Sequence, residues 1–490
     1  MASFDEYEKH DALGLAALIR AGEVSATEVL EAAIARIDAR NPLVNAVVHR
    51  LDAQARASAA ALSLRSARAS MRPFEGVPWL VKDSGIQIAG ERTSNGSRFW
   101  RDHVAPHDST ITQRYRAAGL NLLGWTNSAE NGLSCETAPV AYGPTRNPWD
   151  TERSPGGSSG GAAAAVAAGL VPAAHATDGG GSIRIPSSCN GLFGLKPSRG
   201  RNPFGPDVGE GWNGLSVHHA ITRTVRDSAA LLDASHGPET GDPYAAPPTG
   251  VGSFSQDLLR PRQGLRIAFQ TVDHAGQATH PAVAGAVVDA AHLLASLGHQ
   301  VVEARPSFDA QALKRAMFVV VASNTAHVLR ARALVAGRPA SRDEVEPITW
   351  LWAQEGHRLP GVDLAAAINT LHAVGRAMGR FFEQHDVLLT PTCAAPPLPI
   401  RTVDTRTEDL AAYYDALHAY NTFTTPYNCA GVPAASVPLH WADGLPIGVQ
   451  MASGFGRDAV LLNLAAQLEA ARPWFDRRPE RWAGADWGAD

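Results

Sequence analysis

Hydrophobic and polar positions along the first third of the chain follow two periods, one typical of helices and one typical of buried strands. A helical stripe covers residues 22–42 and begins with Ser25 and Glu28, which have the spacing of a capping box. Short apolar runs predict strands at 75–86 and 121–127, with a helix between them at 107–120. Helices and strands therefore alternate from the start of the chain.

The same alternation continues in the second half. Residues 264–269, 281–298 and 299–304 read as strand, helix and strand, with a glycine that stops the helix. Residues 386–392 predict another buried strand, and the Pro/Gly-rich stretch 237–264 predicts a long surface loop. Alternating strands and helices favour a layered α/β sheet, and no composition shift divides the chain into separate domains.

Composition excludes several classes of protein. The 490 residues are 45% hydrophobic and 19% charged, with a net charge of -5 and no basic run, so we expect a large core and no nucleic-acid partner. The four cysteines, at 135, 189, 393 and 429, are scattered and lack zinc-ligand spacing, which predicts free thiols and no metal. The acidic N-terminus lacks the apolar core that a signal peptide would show, and we expect the Ala-rich run 161–176 to be too weakly apolar to span a bilayer. We therefore expect a cytoplasmic protein without a membrane partner.

Candidate chemistry first occurs in the decapeptide TDGGGSIRIP at residues 177–186. Ser182 follows three glycines, so a serine nucleophile could lie beside bare backbone N–H groups that bind an oxyanion. The candidate oxyanion residues are Gly179, Gly180 and Gly181. The alternative at this point is a tight turn between two elements, since glycine clusters are common there.

A second serine pair lies upstream, in SPGGSSGG. Ser158 stands in a G-x-S-x-G pattern, but the preceding residues are polar and end in proline, so the strand that a nucleophile elbow requires is missing. No phosphate-binding glycine motif is present either. The reading that is left is a Gly/Ser turn that opens an Ala-rich helix. In one interpretation of that turn, Ser158 and Ser159 are no more than helix caps.

A serine nucleophile needs a base, and the chain has only four lysines against 18 histidines without a distinctive context. Lys82 ends an apolar strand, where burial could lower its pKa and leave a neutral amine. An ordinary strand-end lysine that reaches water is the alternative reading. Lys196 has an equally apolar setting and competes for the role.

Together these segments closely resemble the amidase signature family. The resemblance rests on GVPWLVKD, GGSSGG, TDGGGSIRIPSSCNGLFGLKPSRG and GLPIGVQMASGFGRDAVLLNLAAQLE, and it covers nearly the whole chain. Within the family, the overall sequence, including the run AYGPTRNPWD, is most similar to bacterial amidases of the 6-aminohexanoate cyclic-dimer hydrolase type. The implied fold is one α/β domain over 1–490, with a central twisted mixed sheet flanked by helices. Its implied parts are an N-terminal helical segment (1–65), a catalytic core (76–230) and a variable substrate-pocket half (265–490).

The resemblance also implies roles for the candidate residues. Ser182 matches the nucleophile, Ser158 the bridging serine that follows a cis peptide bond, and Lys82 the base. Backbone N–H groups of Gly179 to Gly181 would form the oxyanion hole. Ser159, Asp178 and Arg184 would support this set, the last two as an ion pair, and no metal or organic cofactor would be required.

The implied activity is hydrolysis of small to medium neutral amides, aryl amides among them, through an acyl-enzyme. One alternative is a urethanase that cleaves carbamates with the same triad, and a homodimer is a further expectation. An amidotransferase subunit is a second alternative, although such subunits typically have Gln before Pro where this chain has GGGSIRIP. The third, a non-catalytic binding protein, disagrees with the intact Lys82, Ser158 and Ser182.

Residues of the substrate pocket are harder to predict. Trp350 and Trp352 could line an apolar acyl pocket, while Cys393 and Cys429 read as small buried hydrophobes. Departures from the family's commonest pattern, expected to bear on pocket shape, occur at Gly179, Trp125, His218 and His219.

Overall fold

The structure is a computed structural model that describes residues 4–63, 72–250 and 252–480. Residues 1–3 and 64–65 of the predicted N-terminal segment lie outside the described residues. The same holds for residue 251 of the predicted loop and residues 481–490 of the predicted C-terminal half.

An 11-stranded sheet runs through the described part of the chain, in the order β1-β3-β2-β4-β6-β5-β10-β11-β9-β7-β8. The strands are β1 Val47–Arg50, β2 Pro78–Lys82, β3 Asn121–Thr126, β4 Ala173–Asp178, β5 Phe193–Lys196, β6 Val217–Thr222, β7 Arg266–Phe269, β8 Gln300–Glu303, β9 Val387–Pro391, β10 Ala434–Ala442 and β11 Leu445–Ser453.

The sheet is mixed. Strand β2 pairs in parallel with β3 and β4, and β7 pairs in parallel with β8 and β9. Antiparallel pairs join β4, β6, β5, β10 and β11 in the middle of the sheet. The predicted α/β domain with a central mixed sheet flanked by helices is therefore confirmed.

Helices pack around this sheet. They are α1 Ala12–Ala21, α2 Ala26–Val44, α3 Asp52–Ser63, α4 Thr110–Ala117, α5 Gly160–Ala167, α6 Arg184–Asn190, α7 Val225–Ser235, α8 Phe254–Asp257, α9 Pro281–Ser296, α10 Ala310–Ala336, α11 Pro347–Arg358, α12 Gly361–Gln384, α13 Leu410–Asn421, α14 Thr425–Ala430 and α15 Asp458–Ala471. None of the helices in the described ranges combines the length and apolar character of a membrane span.

Local sequence signals locate several elements correctly. Helix α2 begins at the predicted capping box, because Ser25 Oγ accepts from the Glu28 N–H and the Glu28 carboxylate accepts from the Ser25 N–H. All five residues of β2 and all six of β3 are buried, as their apolar runs predict. The βαβ unit β7–α9–β8 is present with its strands parallel.

The predicted surface loop at 237–264 needs one correction. A short helix, α8, lies within it, because Ser253 caps the helix and Phe254 packs into the core at 1% exposure. The N–H of Phe254 donates to Asp233 on α7, which ties this segment to the domain. The helix predicted at 107–120 is also shorter than expected and covers Thr110–Ala117.

Candidate active site

Three chain segments bring the predicted site residues to one edge of the sheet. Lys82 is the last residue of β2, and Ser182 lies in the short connection between β4 and α6. Ser158 immediately precedes the N-terminal turn of the Ala-rich helix α5. Because β2 and β4 are parallel neighbours, their carboxyl ends and the loops that follow lie side by side.

Lys82 contacts one of the two predicted serines. Its Nζ lies 2.7 Å from Ser158 Oγ and 2.8 Å from Thr177 Oγ1. Burial lowers the pKa of Lys82 to about 7, against a smaller opposing effect of the Asp178 carboxylate. A substantial fraction of the Lys82 side chain is therefore a neutral amine at neutral pH, able to accept a proton.

The competing lysine has a similar environment but different contacts. Lys196 ends β5 and is fully buried, and burial lowers its pKa to about 7 as well. Its Nζ donates to the backbone carbonyl of the neighbouring Pro197 at 2.9 Å, and it contacts neither candidate serine. The geometry therefore brings Lys82, and not Lys196, together with Ser158.

Ser158 and Ser159 do not act as simple helix caps. Ser159 occupies the N-cap position of α5, yet its side chain makes no capping bond and instead donates to the Thr177 carbonyl at 3.2 Å. Ser159 thus contacts the residue whose hydroxyl contacts Lys82. The Gly157–Ser158 peptide bond is cis, as the family resemblance implied.

The glycine loop offers two free backbone donors, not three. The N–H of Gly181 donates to Asp178 Oδ1 at 2.8 Å, so it is engaged within the loop. Among the described residues, nothing accepts from the N–H of Gly179 or Gly180, and both residues are partly exposed. Ser182 is also partly exposed, whereas Lys82 and Ser158 are buried. The loop is therefore a β4–α6 turn that also presents backbone donors beside an accessible hydroxyl.

Gly181 is required by close packing. Its φ is +132°, and a β-carbon there would lie 2.5 Å from Thr424 Oγ1 and 2.6 Å from Ile185 Cδ1. The Thr424 hydroxyl donates to the Gly180 carbonyl at 2.6 Å, so α14 and its N-cap hold the loop from the opposite side.

Asp178 and Arg184 form the predicted ion pair, and both side chains are fully buried. Burial alone would raise the pKa of the Asp178 carboxyl, but the Arg184 guanidinium and hydrogen bonds outweigh it and hold that pKa well below its usual range. Asp178 also accepts from the Ile183 N–H and from Asn428 Nδ2. This network orders the loop that carries Ser182.

A cleft opens in front of Ser182, and its walls are largely apolar. The walls include Leu133, Ile185, Met317, Val321, Trp352 and Leu417, with Trp212 and Tyr414 as further aromatic residues. Among the described residues that line the cleft, none is Asp, Glu, Lys or Arg. Burial lowers the pKa of His418, which also lines it, to about 4, so this imidazole is neutral at neutral pH.

Ser158 lies behind the wall of this cleft. Gly132 and Gly157 are part of the wall, and a β-carbon on Gly132 would lie 3.5 Å from Ser158 Oγ. The accessible Ser182, the buried Ser158 and the buried Lys82 therefore occupy one region between the cleft and the sheet.

The structure separates the two predicted pocket tryptophans. Trp352 lines the cleft, but Trp350 packs in a separate cluster with Phe99 and Trp100. Cys393 and Cys429 are buried and do not line the cleft, as expected of small buried hydrophobes.

Of the departures from the family's pattern, only Gly179 adjoins the cleft region. A β-carbon on Gly179 would lie 3.2 Å from the indole of Trp212, a cleft residue. Trp125 is buried in β3 against His49, and His218 stacks on His175 behind Lys82. His219 is buried and bonds Ser228 on α7.

Several cleft residues carry no sequence signal that could have singled them out. Trp212 lies in a loop, Met317 in α10, and Tyr414 and His418 in α13, and none of them belongs to a motif.

No group of three or more His, Cys, Asp or Glu in the described ranges could hold a metal ion.

Comparisons with known proteins cover nearly the whole chain. A family model described as Amidase matches residues 28–462. The 6-aminohexanoate-cyclic-dimer hydrolase of Pseudomonas sp. (strain NK87) is 39% identical over 484 residues, which cover 96% of each chain.

Solved structures agree with the sequence comparison. The structure of a 6-aminohexanoate cyclic dimer hydrolase complexed with substrate has a TM-score of 0.91 at 37% identity and covers 98% of this chain and 100% of that chain. A bacterial aryl acylamidase of the amidase signature enzymes has a TM-score of 0.89 at 30% identity, with 97% and 99% covered. The chain therefore belongs to the amidase signature family and is an amidase, a hydrolase of amide C–N bonds.

Proposed function

We propose that this amidase cleaves its substrate by a relay from Ser182 through Ser158 to Lys82, with an acyl-enzyme intermediate. The observation that carries the proposal is the 2.7 Å contact between the buried Lys82 Nζ and Ser158 Oγ, behind the cleft that contains Ser182. A lysine with a pKa of about 7 is matched to proton transfer at neutral pH.

In the first step, neutral Lys82 takes the proton of Ser158, and Ser158 takes that of Ser182 as the Ser182 oxygen bonds to the substrate carbonyl carbon. The carbonyl oxygen becomes an oxyanion, and the amine of Lys82 becomes an ammonium. Thr177 Oγ1, 2.8 Å from Lys82 Nζ, supplies a second oxygen acceptor that holds this ammonium in place.

The free N–H groups of Gly179 and Gly180, with that of Ser182, receive the oxyanion. One such donor contributes about 10²–10³ in rate where it has been removed from a hydrolase. The Gly181 N–H serves a different purpose, because its bond to Asp178 holds the loop before substrate arrives.

In the second step, the C–N bond breaks and the leaving nitrogen receives a proton from Lys82 through Ser158. This protonation is needed because an unprotonated amine is a poor leaving group. Water then attacks the acyl-enzyme with the same relay as its base, which releases the acid and restores Ser182.

The preferred substrate is an uncharged amide with an apolar or aryl group. The cleft walls are apolar and aromatic, and no charged side chain among the described lining residues would offset the desolvation of a charged substrate. A carbamate presents the same carbonyl and leaving nitrogen, so urethanase activity is the alternative outcome.

The test is the initial rate of 4-nitroaniline release from a matched amide and carbamate by the purified chain alone, with Ser182→Ala as the blank. We expect turnover of the amide that Ser182→Ala abolishes, together with loss of labelling by a fluorophosphonate. Comparable or faster carbamate turnover would make the protein a urethanase. Activity retained in Ser182→Ala would contradict the nucleophile assignment, and activity that needs an added subunit would favour an amidotransferase.

A further inference from the structure

A left-handed turn places an aromatic side chain beside the glycine loop. Trp212 and Asn213 both have a φ of +53°, and Gly214 follows at +78°. A positive φ is a genuine outlier for a bulky aromatic residue, because its β-carbon crowds the backbone. Such a conformation persists where surrounding structure holds it, and it is found preferentially at functional sites.

Hydrogen bonds from several segments hold this turn. The Ser216 N–H donates to the Gly211 carbonyl at 3.1 Å and closes the turn. Asn324 Nδ2 on α10 donates to Asn213 Oδ1 at 2.8 Å. Arg199 Nε donates to the Gly214 carbonyl, and Asn428 Nδ2 donates to the Leu215 carbonyl at 3.1 Å. Asn428 also bonds Asp178, so the turn and the Ser182 loop share one network.

The glycine at 179 makes room for the indole. A β-carbon there would lie 2.8 Å from Ser216 Oγ and 3.2 Å from Trp212 Cε3. The Ser216 hydroxyl can rotate away, but 3.2 Å from the indole is tighter than nearly all real β-carbon contacts, so a β-carbon at 179 would push the Trp212 ring by a few tenths of an ångström. The φ of Gly179 lies outside the left-handed region, so glycine is needed for space and not for backbone conformation.

The indole lines the same cleft as Ser182 and Gly180, together with apolar residues of α10. Met317 and Val321 line the cleft from that helix, and Trp212 packs against the hydrophobic cluster that contains both. A flat apolar group that enters the cleft toward Ser182 therefore meets a lining formed by the indole and by apolar side chains of α10.

We infer that Trp212 is a specificity-determining residue, whose indole binds a planar aryl group on the acyl side of the substrate. Gly179 lets the ring occupy that position. The inference rests on the proposed function, since it takes the Ser182 hydroxyl oxygen as the atom that attacks the substrate carbonyl.

The test compares two 4-nitroanilides that differ only in the flatness of a six-carbon ring, the benzoyl and the cyclohexanecarbonyl amides. The measured quantity is the ratio of their kcat/KM values, because differences in intrinsic reactivity cancel between variants. Trp212→Leu should lower the ratio about 2- to 10-fold, the range expected for loss of an aromatic pair. Trp212→Phe keeps a flat ring and should retain most of the preference.

Gly179→Ala provides the second arm. It should lower the ratio by a smaller factor, since the new β-carbon pushes the indole by only a few tenths of an ångström, and it should have no effect in a Trp212→Leu background. Any loss of oxyanion binding at 179 affects both substrates and cancels in the ratio. Thermal unfolding of each variant establishes that it is folded.

The outcomes separate the two proposals. A ratio unchanged in Trp212→Leu, or additive effects of Gly179→Ala and Trp212→Leu, would overturn the role of Trp212 while Ser182→Ala stayed inactive on both substrates. Turnover of both anilides by Ser182→Ala would instead overturn the proposed function.

Discussion

Replacing Lys82 by methionine would remove the base and keep most of the buried volume. Lys82 Nζ is the amine that contacts Ser158, and no other lysine or arginine in the described ranges bonds that hydroxyl. A general base typically contributes 10²–10⁴ in rate, so Lys82→Met should lower kcat by about that factor. Packing should change little, because methionine is an unbranched side chain of similar length.

The pH dependence follows from the lowered pKa of Lys82. That pKa falls from 10.5 to about 7 on burial. At pH 7 about half of the Lys82 side chains are neutral, against roughly one in 3,000 for an unshifted amine. Because the neutral form is the active one, kcat/KM should rise with pH, level off above about pH 7 and be lost progressively below it.

The chain contains a matched control, because Lys196 is equally buried and its pKa is also lowered to about 7. Rates of 4-nitroaniline release between about pH 5 and about pH 9 would be compared for the wild type, Lys82→Met and Lys196→Met. Lys196→Met should keep the fall in activity at low pH with its midpoint unchanged. Wild-type rates in Lys82→Met, or a low-pH fall that disappears in Lys196→Met, would refute the assignment of the base.

Two further predictions concern stability. Asp178→Asn leaves Arg184 buried without its counter-charge and should lower the free energy of unfolding in urea by about 3–5 kcal/mol. The control Asp415→Asn, at an exposed ion pair with Lys314, should change that free energy far less, and equal effects of the two substitutions would contradict the role of burial. Ser25→Ala removes the cap of α2 and should cost about 1 kcal/mol in the same assay, with kcat/KM unchanged because the cap lies in α2, outside the cleft.

Local interactions explain why several elements could be predicted. The capping box of α2 joins residues three positions apart, and the burial of β2 follows from five consecutive residues. Such features depend on neighbours in sequence, so a short window contains all the information required. The glycine loop before Ser182 was recognisable for the same reason, although the engagement of the Gly181 N–H was not.

Alternatives open in the sequence were settled by contacts between distant segments. Lys82 and Lys196 both end apolar strands and have similarly lowered pKa values, and they differ in whether a serine lies within reach. That contact joins residues 76 positions apart, on β2 and just before α5, which no short window of sequence relates to each other.

The sequence by itself determined the α/β class, the family and the order of the candidate lysine and serines, because these depend on local periodicity and on motifs of a few residues. The tertiary structure decided that Lys82, and not Lys196, meets Ser158 and that Trp352, and not Trp350, lines the cleft. Trp212 comes from a left-handed turn, Trp352 from α11 and Tyr414 from α13. The physical reason is that a cleft forms where side chains far apart in the chain pack together, and no periodicity within one segment records that packing.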